Sequence, residues 1–349
     1  MQYSSKCIIK RCRNFAEVDK LPIYLNNACP NKLGAYRRYS NNNLQFLKDT
    51  MLSLYDDKIS KCTICSSGMQ AFKVLLDNIG ETSSKIVVSN KCYLELRLIL
   101  DYYKQYNIEF VDINDINNFE SSLVPNSLVI VDSVDCMMLD NFNLKEIIDI
   151  AHQHNSFICV DNTVLSSYYY NPFNDNADYV VESLTKYSGG HGDVMAGILL
   201  GFFDDKYNAL TGVTLDPLSC YLLQRGISTL PLRLDRITNT SQKIYKYLKS
   251  KVKNVRYYGI GGLIVFTCGS RSKNIEFIKS LKMILNTTSF GQDNTTISLS
   301  YKLEVEYYPD IPADYKEYIR LSVGLEDYRD IISDLELGFR MLELLKWEW

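Results

Sequence analysis

Residues 179–192 read Tyr179-Val180-Val181-Glu182-Ser183-Leu184-Thr185-Lys186-Tyr187-Ser188-Gly189-Gly190-His191-Gly192. The run opens apolar, as a buried strand does, turns polar at Ser183, Thr185 and Lys186, and ends in glycines. One lysine is thus delivered at the end of a core strand, where partial desolvation lowers the cost of losing its proton and leaves the amine nucleophilic. The hydroxyls of Ser183 and Thr185 lie within three residues of it. An amine beside hydroxyls and loop amides suits a ligand that carries both an aldehyde and a phosphate, and pyridoxal phosphate is the candidate. Ser-x-Thr-Lys alone is a common tetrapeptide, and a lysine after a strand is as a rule merely solvated, so the reading rests on what stands upstream.

Upstream, Ser156-Phe157-Ile158-Cys159-Val160-Asp161 is a second apolar run that ends in a carboxylate, 25 residues before Lys186. That spacing fits two neighbouring parallel strands joined by a crossover. Ligands of open α/β sheets bind outside the carboxyl ends of the strands, so Asp161 and Lys186 are expected to face one crevice. An aspartate there can keep a pyridine nitrogen protonated while the lysine holds an aldehyde.

Asp161-Asn162-Thr163, the run from Ala177 to Tyr187, and Gly190-His191-Gly192-Asp193 resemble the Cys/Met-metabolism family of pyridoxal-phosphate enzymes, which includes the cystathionine synthases and lyases and methionine γ-lyase. The resemblance runs from about Pro22 to about Leu337. It implies a fold-type I α/β architecture, with a mostly parallel central sheet flanked by helices in a large domain and a smaller C-terminal α/β domain. The expected division is an N-terminal arm over 1–45, a cofactor-binding large domain over 46–233 and a small domain over 234–349. Strand–helix alternation from Lys85-Ile86-Val87-Val88-Ser89 through Leu128-Val129-Ile130-Val131-Asp132 to Ala196–Gly201 argues for the same parallel sheet on its own.

The resemblance also implies roles. Ser67-Gly68-Met69 matches a phosphate cup, so the backbone amides of Gly68 and Met69 are assigned the phosphate with Ser183 and Thr185; a helix start points N–H groups and a positive dipole end at such a ligand. Tyr36-Arg37-Arg38 resembles a Tyr-x-Arg that reaches into the neighbouring subunit to bind that phosphate, which implies a dimer at least. Read by itself, the segment is a solvated loop. Tyr93 aligns with a tyrosine that stacks on the ring and can move a proton to a leaving group. Among 26 tyrosines, a core or helix-cap role is its serious rival. Ser289-Phe290-Gly291 resembles a substrate-side Ser-Leu-Gly. Arg320-Leu321-Ser322-Val323-Gly324-Leu325-Glu326-Asp327 resembles the motif whose arginine binds the substrate α-carboxylate, a task for a planar bidentate donor. A buried structural arginine ranks second.

Departures from the family pattern are equally legible. Leu94-Glu95-Leu96 stands where small residues follow the tyrosine. Asp132-Ser133-Val134-Asp135-Cys136-Met137 lacks the prolines and the asparagine of a Glu-(Ser/Thr)-Pro-x-Asn-Pro turn. Asn294-Thr295-Thr296-Ile297 and Ser300-Tyr301-Lys302 replace two further elements near the substrate.

A formal net charge of -3 over 349 residues favours neither nucleic acid nor an anionic membrane as partner. No apolar stretch approaches a membrane span, and the first residues lack a secretory core, so a soluble cytoplasmic protein is expected. Ten scattered cysteines fit reduced, buried thiols; Cys62-x-x-Cys65 has no second pair and only three histidines exist, so no metal site is expected. The expected activity is pyridoxal-phosphate-dependent β- or γ-elimination from a sulfur amino acid such as cystathionine, methionine or cysteine, by a homodimer or homotetramer. A replacement synthase acting on an O-activated amino acid, and a cofactor-binding protein without turnover, are the alternatives. Lys186, Asp161, Tyr93 and Arg320 together count against the last.

Overall fold

In a computed structural model, residues 22–25, 36–55, 59, 61–79, 82–103, 105–203, 210–300 and 317–344 are described. Most of the arm, including Lys6, Lys10, Arg11 and Arg13, lies outside these residues, as do Tyr301 and Lys302. The chain forms two compact units that are not contiguous in sequence. The first comprises 1–133, 142–189 and 193–231, the second 134–141, 190–192 and 232–349.

In the first unit, α1 (Asn42–Tyr55) precedes β1 (Lys61–Cys65), α2 (Gly68–Asn78), β2 (Lys85–Ser89), α3 (Leu94–Leu100), β3 (Ile108–Val111), α4 (Ile116–Ser122) and β4 (Ser127–Asp132). Then follow α5 (Leu144–Gln153), β5 (Phe157–Asp161), α6 (Ser166–Tyr169), β6 (Tyr179–Glu182), β7 (Gly197–Gly201) and α7 (Pro217–Ser228). The seven strands make one sheet in the order β1-β7-β6-β5-β4-β2-β3. Pairing is parallel from β3 through β6, and β7 runs antiparallel to both β6 and β1. Alternate residues of these strands serve different faces. Ile86, Val88, Leu128 and Ile130 pack with Phe72, Leu75 and Leu96 of α2 and α3. Val87, Val129 and Val131 pack with Phe119, Ile147 and Ile148 of α4 and α5. A strand buried on both sides reads as an unbroken apolar run, which is how β4 and β5 read in the sequence.

Register then places the chemistry. Asp132 pairs with Asp161, and Asp161 with Val181, so the carboxyl ends of β4, β5 and β6 lie flush. Cys62 and Cys65 are buried within β1, and burial pushes the Cys62 thiol up to about 12. The pair is therefore packing rather than a thiolate site.

The second unit comprises most of α8 (Leu230–Lys251), then β8 (Val255–Tyr257), β9 (Leu263–Phe266), α9 (Arg271–Ser280), β10 (Leu285–Asn286), β11 (Thr296–Leu299), β12 (Ile319–Ser322) and α10 (Tyr328–Leu344). Its sheet runs β10-β11-β12-β9-β8, and Ile264, Phe266, Ile297, Ile319 and Leu321 pack there with Leu248, Phe277 and Leu335 of the three helices.

Candidate active site

Asp161 ends β5, and only 8% of its surface is exposed. Burial alone drives its carboxyl upward. Hydrogen bonds from Thr163 and the positive field of Lys186 oppose that shift and favour the ionised form. Lys186 stands in the turn after β6, which is closed by the Lys186 N–H donating to Ser183 O (3.1 Å) and the Gly189 N–H donating to Leu184 O (2.7 Å). The two residues singled out from sequence thus occupy neighbouring strand ends and interact electrostatically.

A phosphate-sized anion has a prepared end in the same unit. Ser67 caps α2, its hydroxyl accepting the Gln70 N–H at 3.0 Å. Gly68 and Met69 open the helix, where no preceding turn supplies their amides with carbonyl partners. Ser183 abuts this terminus: a Cβ on Gly68 would lie 2.9 Å from Ser183 Cβ and 3.2 Å from its Oγ. Only a glycine lets the strand end and the helix start come so close. The Thr185 hydroxyl is engaged otherwise, donating to Ala196 O (3.1 Å) and accepting the Ala196 N–H (3.0 Å). It fastens the Lys186 turn to the strand opposite.

Tyr93 precedes α3 without capping it by its side chain, and packs half-buried on the same core as Met69. Tyr36 and Arg38 are exposed. Arg38 donates to Leu210 O and to Tyr39 Oη and lies over the Tyr36 and Tyr39 rings, so these contacts lead to other segments of the same chain and not to Ser183 or Gly68.

Within the second unit, Arg320 of β12 is 9% exposed. Its guanidinium donates to Thr288 O (2.7 Å) and Cys136 O (3.4 Å), lies 3.6 Å from the Met137 sulfur and stands 5.5 Å from the centre of the Phe290 ring. Ser289, between two of these contacts, accepts from the Thr296 hydroxyl through its carbonyl. The segment that lacks the family prolines is closed instead by Asp135, whose carboxylate accepts the Met137 and Met138 N–H groups at 2.8 and 2.9 Å. That turn carries Cys136 and Met137 to Arg320.

The sequence matches the Cys/Met metabolism PLP-dependent enzyme model over residues 15–340. The chain belongs to that family. It is 28% identical to canavanine gamma-lyase from Pseudomonas canavaninivorans over 86% of this chain and 83% of that protein. Against cystathionine gamma-synthase from Haemophilus influenzae it is 28% identical over 88% and 87%. The crystal structure of metB from Corynebacterium glutamicum superposes with a TM-score of 0.86 over 98% of this chain and 99% of that one, at 23% identity, which establishes the fold-type I architecture.

As an enzyme of Cys/Met metabolism the chain uses pyridoxal phosphate, and the first unit fits it. The glycine gap at Gly68 leaves a helix terminus beside a serine hydroxyl, and a buried carboxylate stands within the field of a strand-end lysine. Among the described residues there is no cluster of three or more metal-ligating side chains and no helix long and apolar enough to cross a membrane.

Sequence reasoning missed the layer behind these residues. The Thr163 hydroxyl donates to Asp161 Oδ1 at 2.5 Å and accepts the Ser183 N–H at 2.9 Å, joining the end of β5 to the end of β6. Glu182, 1% exposed, accepts hydrogen bonds from the hydroxyls of Tyr55 and Ser188, and Asn162 donates to the same Tyr55 oxygen at 3.3 Å. The available signal was a glutamate inside an apolar strand, a residue type that is almost never buried without partners.

Proposed function

We propose that this enzyme eliminates the sulfur substituent of a sulfur-containing amino acid such as cystathionine, methionine or cysteine, as a carbon–sulfur lyase acting at the β or γ carbon. The observation that carries the reading is the placement of Asp161 and Lys186 on adjacent parallel strand ends, in mutual electrostatic contact. Pyridoxal phosphate, when bound, supplies an electron sink that makes the substrate α-proton acidic. Lys186 would hold its aldehyde carbon, Asp161 would keep a proton at its ring nitrogen, and Gly68, Met69 and Ser183 would hold its phosphate, while Thr185 braces the Lys186 turn through Ala196. Arg320 takes the substrate α-carboxylate by its planar fork, with Ser289 beside it. The Lys186 amine would also be the base placed to take the substrate α-proton. Tyr93 would cover the ring and deliver a proton to the sulfur group, which leaves as a thiol, and a water molecule then hydrolyses the remaining unsaturated amino acid to ammonia and a keto acid.

The similarity to a cystathionine gamma-synthase favours a second reading, replacement of an oxygen leaving group by a thiol. The same residues would serve it, with an incoming thiol adding at the carbon that the oxygen group leaves, and no ammonia released. We place the protein in the cytoplasm as a homodimer or homotetramer in which Tyr36 and Arg38 of the partner subunit complete the phosphate grip. Their exposure, 48% for Tyr36, supports this.

Borohydride treatment of the holoprotein is expected to leave a pyridoxyl group on Lys186; a label elsewhere removes the proposed site. Ammonia and keto-acid release from cystathionine, methionine, cysteine and canavanine, with and without an added thiol, then separates elimination from replacement. Mixing Lys186→Ala and Arg38→Ala proteins, each inactive alone, is expected to restore part of the activity if the site is shared between subunits.

A further inference from the structure

One buried acid beside the site has no part in the chemistry above. Glu182 is the last residue of β6, four positions before Lys186, and its carboxylate collects three donors from three separate segments. The Tyr55 hydroxyl comes from the end of α1. The Ser167 N–H comes from α6, the short helix that follows Asp161. The Ser188 hydroxyl comes from the turn that carries Lys186. Asn162, next to Asp161, donates to Tyr55 Oη at 3.3 Å and to Tyr170 O at 2.9 Å, so the Tyr55 hydrogen is directed at Glu182. All these groups are in the first unit.

The backbone is bent to serve this hub. Ser166 is fully buried and has φ of 54°, a left-handed conformation that a serine adopts at a cost of about 1 kcal/mol or more. It is held there while its N–H donates to Asn162 O at 2.7 Å and the next N–H donates to Glu182. Strain at a buried residue persists where the surroundings over-determine it, and here they converge on one carboxylate.

We propose that Glu182 is a positioning residue for Lys186: by fastening the 183–188 turn to α1 and to the segment after Asp161, it sets the amine in register with that carboxylate. The inference rests on Lys186 being the lysine that carries the cofactor. The loop between the Glu182 carboxylate and the Ser188 hydroxyl encloses Lys186, so releasing either end frees the turn. The titratable groups that act on Glu182 are Tyr55 from α1 and Asp161 from β5; its remaining partners, Ser188 and the Ser167 N–H, are neutral. Burial pushes the Glu182 carboxyl up to about 7 against the opposing donors, while burial and the neighbouring carboxylate hold the Tyr55 phenol well above its usual range and therefore neutral. When Glu182 gains a proton it must donate to one of the hydroxyls that now donate to it, and the network reverses locally.

The test uses three variants of the full-length holoprotein. Glu182→Gln keeps the shape and imitates the protonated state at every pH, Ser188→Ala cuts the tie to the turn, and Tyr55→Phe cuts the tie to α1. The readouts are the midpoint of the pH titration of the bound-cofactor absorbance between pH 5.5 and 9, the pyridoxal phosphate affinity of the apoprotein, and the melting temperature. Glu182→Gln and Ser188→Ala are expected to move the midpoint by roughly one pH unit, about a tenfold change in the protonation equilibrium at Lys186. Cofactor affinity should fall about tenfold. Tyr55→Phe, one bond further from Lys186, should move the midpoint less. If the folded variants titrate with the parental midpoint and lose activity only in proportion to lost cofactor, the role is structural and the inference is overturned, even with Lys186 labelled in the parent. If borohydride labels a different lysine in the parent, both this inference and the functional reading fall together.

Discussion

The Thr163 hydroxyl donates to Asp161 Oδ1 at 2.5 Å, and the oxygen that makes this donation accepts the Ser183 N–H at 2.9 Å. One side chain thus spans from the carboxylate assigned to the ring nitrogen to the strand end assigned to the phosphate. Its bond to Asp161 also opposes the upward push of burial on that carboxyl. The consequence is directional.

Removing the hydroxyl in Thr163→Val takes a hydrogen bond from the ionised form of Asp161 and should raise its pKa further. The acidic limb of the pH–rate profile is therefore expected to move to higher pH by about one unit, with kcat/KM down about twofold at pH 7 and about tenfold well below the limb. Thr163→Ser should keep the parental limb. An unmoved limb in the valine variant would separate Thr163 from the titration of Asp161.

Asp161→Asn should cost the enzyme at least about a hundredfold in kcat, because a neutral amide cannot hold a proton on a pyridine nitrogen. In the apoprotein the same change should stabilise the fold at neutral pH. The folded-state pKa of Asp161 is raised from 3.8 to about 6, so its favourable contribution is full below pH 3.8 and is lost as pH rises through 6. At pH 7.5 the variant apoprotein should therefore gain on the order of 2–3 kcal/mol over the parent, and nothing at pH 3.5. Chemical denaturation at the two pH values checks the sign.

A methyl group at position 68 should act on cofactor binding more than on folding. The Cβ of Gly68→Ala meets Ser183 Cβ at 2.9 Å, and the strand end must retreat by a few tenths of an ångström from the helix terminus. We expect about a tenfold weaker grip on pyridoxal phosphate, measured by titrating the apoprotein, with the melting temperature lowered by only a few degrees. Equal affinity in the alanine variant would locate the phosphate elsewhere.

Arg320→Lys keeps a positive charge but loses the planar fork that reaches Thr288 O and Cys136 O together. The expected outcome is a rise in substrate KM of about tenfold or more, with kcat lowered less. Steady-state kinetics on the substrate identified by product release decides it. A lysine variant with parental KM would assign Arg320 to structure alone.

The resemblance of the chain to its family, the unbroken apolar runs of β4 and β5, and the spacing from Asp161 to Lys186 are local or strictly periodic signals. Local signals survive in one dimension. They made the parallel sheet and the cofactor legible before any coordinates, and they singled out Asp161 and Lys186, which the fold brings to neighbouring strand ends. The Asp135 turn was half legible: the absence of the two prolines could be read, but not that an aspartate side chain would close the turn in their place.

By itself, then, the sequence determined the architecture, the family and with it the cofactor, and it named the residues proposed to meet that cofactor, because strand periodicity and strand-end polarity are written in consecutive positions. Only the tertiary structure decided what stands behind them. Tyr55 meets Glu182 across 127 positions and Asn162 across 107, and the Arg320 guanidinium reaches Cys136 across 184. Hydrogen bonds between residues so far apart depend on the register of whole strands and on strained turns such as Ser166, and a buried carboxylate finds its partners only after the chain has closed around it.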